Sequence, residues 1–242
     1  MLIAGNWKMN LKYDDILKFK DILIDFKIDN RVDMAIFPQF PLLYSAKEYL
    51  SNCNIEIGAQ TCSSELKGAY TGDVSVEIIS DIGCKYCIVG HSERREFHNE
   101  TNSFIKKAST LLLSKNIIPI ICVGESEEIK NNKDTNQFIK NQIRECVPDN
   151  INSNLVIAYE PLWAIGTGII PNYEEIFNVH TNIIDELSYI ENLKVIYGGS
   201  VNSENCTKIF ELNTVHGALI GGSSLKFKDF LAIYKSAVKQ II

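Results

Sequence analysis

The chain has 242 residues, 45% of them hydrophobic and 22% charged, a composition that supports one sizeable buried core. A formal net charge of -6 excludes a general polyanion-binding surface, so a phosphate site has to be local and no nucleic-acid role is expected. The longest apolar run, Ile117 to Val123, falls far short of the roughly 20 residues that span a bilayer, and the N-terminus lacks a signal-peptide pattern. The expected setting is therefore soluble and intracellular, with no membrane.

Read in order, short β-rich runs alternate with longer amphipathic or polar segments. The strand candidates are Leu2 to Gly5, Met34 to Phe37, Ile55 to Ala59, Tyr86 to Gly90, Pro119 to Val123, Leu155 to Tyr159, Val195 to Tyr197 and Ala218 to Ile220. The helix candidates between them are Asp14 to Phe26, Pro41 to Leu50, Val74 to Ile82, Asn102 to Ser114, Thr135 to Cys146, Tyr173 to Tyr189, Ser203 to Leu212 and Phe227 to Gln240. Eight units of about 30 residues match one βα step each. The strands are mostly continuous apolar runs, as expected where barrel interior covers one face and helices the other. These features predict an α/β fold, a closed (β/α)8 barrel with residues 1–242 as a single domain. A doubly wound open sheet is the alternative, but no G-x-G-x-x-G follows the first strand and no linker marks a midpoint.

The seven cysteines are odd in number and scattered, unlike a secreted disulfide framework. Cys84-Lys85-Tyr86-Cys87 has no second C-x-x-C or H-x-H beside it, so neither metal nor redox use is expected.

In a barrel of this kind the working residues belong at the C-terminal ends of the strands. Asn6, Trp7 and Lys8 follow the first strand, and Gly90 to Arg94 the fourth. Glu160 follows the sixth, Gly198 to Ser200 the seventh, and Gly221 to Ser223 the eighth. Glu160 can serve as a general base, Lys8 as a fixed cation and Asn6 as a hydrogen-bond donor. Ser92-Glu93 resembles a helix start, whose amide N–H groups keep His91 neutral and able to lend a proton to a developing oxyanion. Gly198-Gly199-Ser200 and Gly221-Gly222 offer backbone N–H groups where barrels often hold phosphate. After Glu160, the stretch Pro161 to Gly168 combines a stiff start with two glycines, as in a loop that closes. Base, neutral acid, cation and phosphate cradle suit proton abstraction beside the carbonyl of a small sugar phosphate.

Motifs along the whole chain resemble the triosephosphate isomerase family. They are Gly5-Asn6-Trp7-Lys8-Met9-Asn10, Gly58-Ala59-Gln60, Gly68-Ala69-Tyr70-Thr71-Gly72 and Val89-Gly90-His91-Ser92-Glu93-Arg94-Arg95, then Cys122-Val123-Gly124-Glu125, Tyr159 to Gly168, Tyr197-Gly198-Gly199-Ser200-Val201 and Leu219-Ile220-Gly221-Gly222. The resemblance implies interconversion of dihydroxyacetone phosphate and D-glyceraldehyde 3-phosphate, a step of glycolysis and gluconeogenesis in the cytoplasm. It implies Glu160, His91, Lys8, Asn6 and Glu93 as the catalytic group, with Glu93 supporting the others. Asn6 and Lys8 would also bind the substrate, and Gly166, Ser200, Gly221 and Gly222 would hold its phosphate, Gly166 only once the loop has closed. No metal or organic cofactor is implied.

The family is usually a homodimer in which the loop after the third strand, here with Gln60 and Tyr70 to Asp73, inserts into the partner. Thr61 stands where the family commonly has Asn, and Asp73 where it commonly has Glu. A usual Arg and Asp pair is replaced by Ile184 and His216, which leaves no orphan buried charge. Two rival readings are a Schiff-base aldolase, which would want a Lys where the sixth strand presents Glu160, and a non-catalytic binder, which would not need to keep Glu160, His91, Lys8 and Asn6 together.

Overall fold

A computed structural model describes residues 1–165 and 171–241. Eight strands alternate with helices: β1 (Leu2–Asn6), α1 (Tyr13–Ile24), β2 (Asp33–Phe37), α2 (Phe40–Leu50), β3 (Glu56–Ala59), α3 (Val76–Ile82), β4 (Tyr86–Val89), α4 (Ser92–His98) and α5 (Asn102–Ser114). The second half continues with β5 (Ile118–Val123), α6 (Glu127–Asn131), α7 (Thr135–Cys146), β6 (Val156–Tyr159), α8 (Tyr173–Glu186), β7 (Lys194–Tyr197), α9 (Cys206–Phe210), β8 (Gly217–Ile220) and α10 (Phe227–Lys239). The strands form a closed barrel in sequence order, and the seam is made by β1 pairing in parallel with β8, Leu2 opposite Gly217 and Gly5 opposite Ile220. The expected barrel is the observed one.

Strand side chains alternate between two apolar layers, which is why the runs read as continuous. Leu2, Ala4, Phe37, Ile88, Ile120, Val156, Ala158, Ile196 and Leu219 belong to a column inside the barrel. Their neighbours Ile3, Ile36, Ile57, Val89, Ile121, Ile157 and Val195 pack outward with the helices in a second, larger cluster. No helix among the described residues is long and apolar enough to cross a membrane.

Some helix limits differ from the expected ones. The α3 helix begins at Val76, not Val74, because the Ser75 side chain accepts the Ile78 N–H and caps it. Expected from Ser203 to Leu212, α9 covers only Cys206–Phe210, because Asn202 Oδ1 accepts the N–H groups of Glu204 and Asn205 and holds a turn there.

The lower, N-terminal rim of the barrel is tied by charge. Lys194 Nζ lies 2.6 Å from Asp33, and Lys85 Nζ lies 3.0 Å from Glu56 and 4.0 Å from Asp33. Cys84 and Cys87 are both buried near this rim as free thiols, and burial pushes the Cys84 thiol up to about 11, which opposes thiolate chemistry at neutral pH.

Candidate active site

Glu160 stands one residue beyond β6 and is 1% exposed. Its backbone continues the barrel, its N–H donating to Val123 O at 2.7 Å, while the Gly198 N–H donates to Tyr159 O at 2.7 Å. The neighbouring strand ends leave it a narrow slot. A Cβ on Gly124 would sit 1.7 Å from Glu160 O, and one on Gly198 would sit 2.8 Å from Glu160 Cγ. A side chain at 124 therefore displaces the Glu160 backbone and one at 198 its side chain, which is the physical reason both are glycine.

The carboxylate meets the start of α4. Its Oε2 accepts the Ser92 N–H at 3.0 Å, and His91 Nε2 approaches Oε1 to 3.2 Å, without the alignment of a hydrogen bond. His91 itself caps α4, its Nδ1 accepting the Glu93 N–H at 3.2 Å. A ring nitrogen that accepts an N–H carries no proton, so this geometry suits a neutral imidazole with its hydrogen on Nε2, facing Glu160. The sequence marks Ser92-Glu93 as a helix start; the cap proves to be the histidine.

Across the cavity, Lys8 Nζ pairs with Glu93 Oε1 at 2.7 Å, and Glu93 Oε2 lies 3.7 Å from His91 Nδ1. Glu93 thus touches both the cation and the imidazole from outside the cavity wall. Lys8 has a backbone φ of 49°, a left-handed conformation that costs a non-glycine residue of order 1 kcal/mol or more. Two contacts hold it there: the Lys8 N–H donates to Asn6 Oδ1 at 3.0 Å, and Gln60 Nε2 donates to Lys8 O at 2.7 Å. With Oδ1 so used, the NH2 group of Asn6 is what this side chain can offer a ligand.

One cavity of about 320 Å³ is lined by Asn6, Lys8, His91, Glu160, Ile165, Ser200, Gly221 and Gly222, among others. Ser200 Oγ donates to Ala164 O at 3.1 Å, which ties the β7 end to the segment after Glu160. Gly222 opens a short 3-10 turn, Gly222–Leu225, with Gly221 just before it, and among the described residues beyond its chain neighbours no atom lies within 4 Å of where a Gly222 Cβ would be. The expected site residue Gly166 lies outside the described residues. The segment leading to it is anchored: Trp163 Nε1 donates to Glu125 Oε1 at 2.9 Å, Tyr159 Oη donates to the same oxygen at 3.1 Å, and Lys130 Nζ sits 3.3 Å from the centre of the Trp163 ring. Burial pushes the Glu125 carboxyl up, against the pull of those two donors.

Several supporting contacts could not be read from the sequence, because the partners lie far along the chain. Gln60, expected only as part of a dimer loop, braces Lys8 within its own chain. Buried Glu100 collects Arg94 Nε at 2.7 Å, Thr61 Oγ1 at 2.9 Å and the Gly90 N–H at 3.2 Å. Asp73, which stands where the family commonly has Glu, accepts from Ser63 Oγ at 2.7 Å. Ile184 packs on the outer core, and His216 Nδ1 accepts the Val195 N–H at 3.0 Å.

His180 is fully buried behind Tyr159, their rings edge to face at 5.9 Å. Its Nδ1 lies 3.1 Å from Thr214 O, a carbonyl that can only accept, so Nδ1 carries the hydrogen and Nε2 is left without a partner among the described residues. Desolvation lowers its pKa from 6.5 to about 4. Because the folded value lies below the unfolded one, the unfolded chain takes the proton first. Stability is then full above pH 6.5 and is lost as pH falls toward 4. Thermal unfolding at pH 7 and pH 5 should show His180→Gln losing roughly 2 kcal/mol less than the parent over that interval. Equal losses in the two proteins would contradict the buried neutral ring.

The family model described as triosephosphate isomerase matches residues 1–237. The triosephosphate isomerase of Lawsonia intracellularis is 39% identical over 246 residues, covering 96% of each chain. That of Thermus thermophilus is 38% identical, covering 98% of each, and that of Rhizobium meliloti is 39% identical, covering 97% of this chain and 95% of its own.

Proposed function

Because this chain belongs to the triosephosphate isomerase family, and so interconverts dihydroxyacetone phosphate and D-glyceraldehyde 3-phosphate, we propose that Glu160 is the base that carries the proton between the two carbons. The Glu160 carboxylate takes a proton from C1 of the ketose, and the electron pair moves to form the C1–C2 double bond while the C2 oxygen becomes anionic. His91 Nε2–H protonates that oxygen and recovers a proton from the C1 hydroxyl. Glu160 then returns its proton to C2, leaving the carbonyl at C1, so atoms and charge balance.

Lys8 and the Asn6 amide stabilise the negative oxygen as it develops, and Glu93 holds the Lys8 ammonium in place. Ser200, Gly221, Gly222 and, outside the described residues, Gly166 hold the phosphate. The observation that carries this reading is the 3.2 Å approach of His91 Nε2 to the Glu160 carboxylate in the cavity that Lys8 also lines.

The chain works as a homodimer in the cytoplasm, on this reading. Support for the dimer comes from large apolar side chains that stay exposed: Met9 at 86% in the Lys8 loop, Tyr44 at 68% on α2, and Tyr70 at 49% and Leu66 at 44% in the loop after β3. Leu66 and Tyr70 line one groove together, and exposed apolar surface of this kind marks an interaction site. One dilution series tests both parts, with sedimentation and isomerase turnover read on the same samples. Activity should track the dimer and fall as it dissociates. Full turnover by the monomer would refute the need for a partner, and a folded dimer without turnover would refute the assigned roles.

A further inference from the structure

The β4–β5 ladder ends with Val89 opposite Ile121. The next rung would join Gly90 to Cys122, but Gly90 turns away with a φ of 66°. A guanidinium takes its place. Arg95 Nε donates to Gly90 O at 2.8 Å, and Arg95 Nη2 donates to Cys122 O at 2.9 Å. Its third nitrogen, Nη1, donates to Asn102 Oδ1 at 2.6 Å, and Nη2 also lies 3.4 Å from Cys146 Sγ.

The residues so joined flank the chemistry. Gly90 directly precedes His91, and Cys122 is opposite Ala158, two residues before Glu160. Val123, the next residue on β5, accepts the Glu160 N–H. Arg95 makes no ion pair among the described residues, so charge neutralisation does not account for an arginine here; its rigid fork of donors does. A lysine could reach one carbonyl but could not fix the angle between two.

We infer that Arg95 is a positioning residue for the isomerisation, its guanidinium holding the β4 and β5 ends at the separation that brings His91 onto Glu160. This rests on the reading of His91 and Glu160 as the proton-transfer pair. The phosphate end, built on β7 and β8, is not tied to Arg95, so the effect falls on turnover and not on substrate binding.

The test measures kcat and KM for folded R95A and R95K dimers, with methylguanidinium or methylammonium added. R95A is expected to lose roughly 10- to 100-fold in kcat, the scale of a small misplacement of reacting groups, with KM within about twofold of the parent. Methylguanidinium should restore at least about fivefold of that loss and methylammonium should not, while R95K stays impaired.

A folded R95A with kcat within about threefold of the parent overturns the inference. So does a loss that neither cation restores, or that both restore equally, and so does a KM that rises with the loss. If R95A does not fold, R95K decides: unchanged kcat with only a lowered melting temperature overturns the inference, and lowered kcat at unchanged KM supports it. E160Q run in parallel separates the two questions, because full turnover in that variant removes the proton-transfer assignment whatever Arg95 does.

Discussion

Glu160→Gln should abolish most turnover while leaving the fold intact. Glutamine has the same length and branching, so it fits the slot between Gly124 and Gly198 that admits no extra atom. Its carbonyl oxygen can keep the Ser92 N–H that Oε2 now accepts at 3.0 Å. What disappears is basicity. A positioned base contributes about 10² to 10⁴ in rate, and kcat should fall by at least that much with KM and melting temperature little changed. Near-parental kcat from the folded variant would remove Glu160 from the mechanism.

The second large effect is expected from Lys8→Met, which keeps most of the side-chain length and removes the ammonium. Methionine meets the same left-handed backbone as lysine at this position, so the local strain of the parent is unchanged. Glu93 loses its partner at 2.7 Å, but its side chain is 45% exposed and water can solvate it, so stability changes little. The loss falls instead on the negative oxygen of the reaction. Removing one well-placed donor to such an oxygen costs roughly 3 to 4 kcal/mol, or several hundredfold in kcat/KM. Steady-state kinetics on the variant decide it; a kcat/KM within tenfold of the parent would show that Lys8 stabilises neither substrate nor oxyanion.

The barrel was legible because closure buries both faces of every strand, which removes polar residues and leaves runs such as Val156–Tyr159. Longer helices were equally clear, Asn102–Ser114 and Thr135–Cys146 being found at the expected limits. The short α4 and α6 escaped as full elements because their residues, Ser92–His98 and Glu127–Asn131, are almost all polar or charged and show no apolar period. At the site, strand-end placement brought forward Asn6, Lys8, His91 and Glu160, since topology alone sends those positions to one face. The bracing residues could not be read that way. Gln60 acts on Lys8 across 52 positions and Arg95 on Cys122 across 27, and pairs so far apart leave no local pattern.

The glycines that crowd Glu160 also constrain how this barrel could acquire new chemistry. Catalytic groups of a barrel come from the ends of several strands, and one at the end of the next strand would face the same substrate atoms. Here the adjoining positions are 124 and 198, and a first side-chain atom at either would meet Glu160 at 1.7 Å or 2.8 Å. While Glu160 is kept, a new base at position 124 or 198, just beyond β5 or β7, costs the old one its place. Innovation on this scaffold is therefore steered toward the ends of the first four strands or the loops beyond the seventh and eighth, and a drift from one activity to another through a bifunctional intermediate is closed at the two nearest sites.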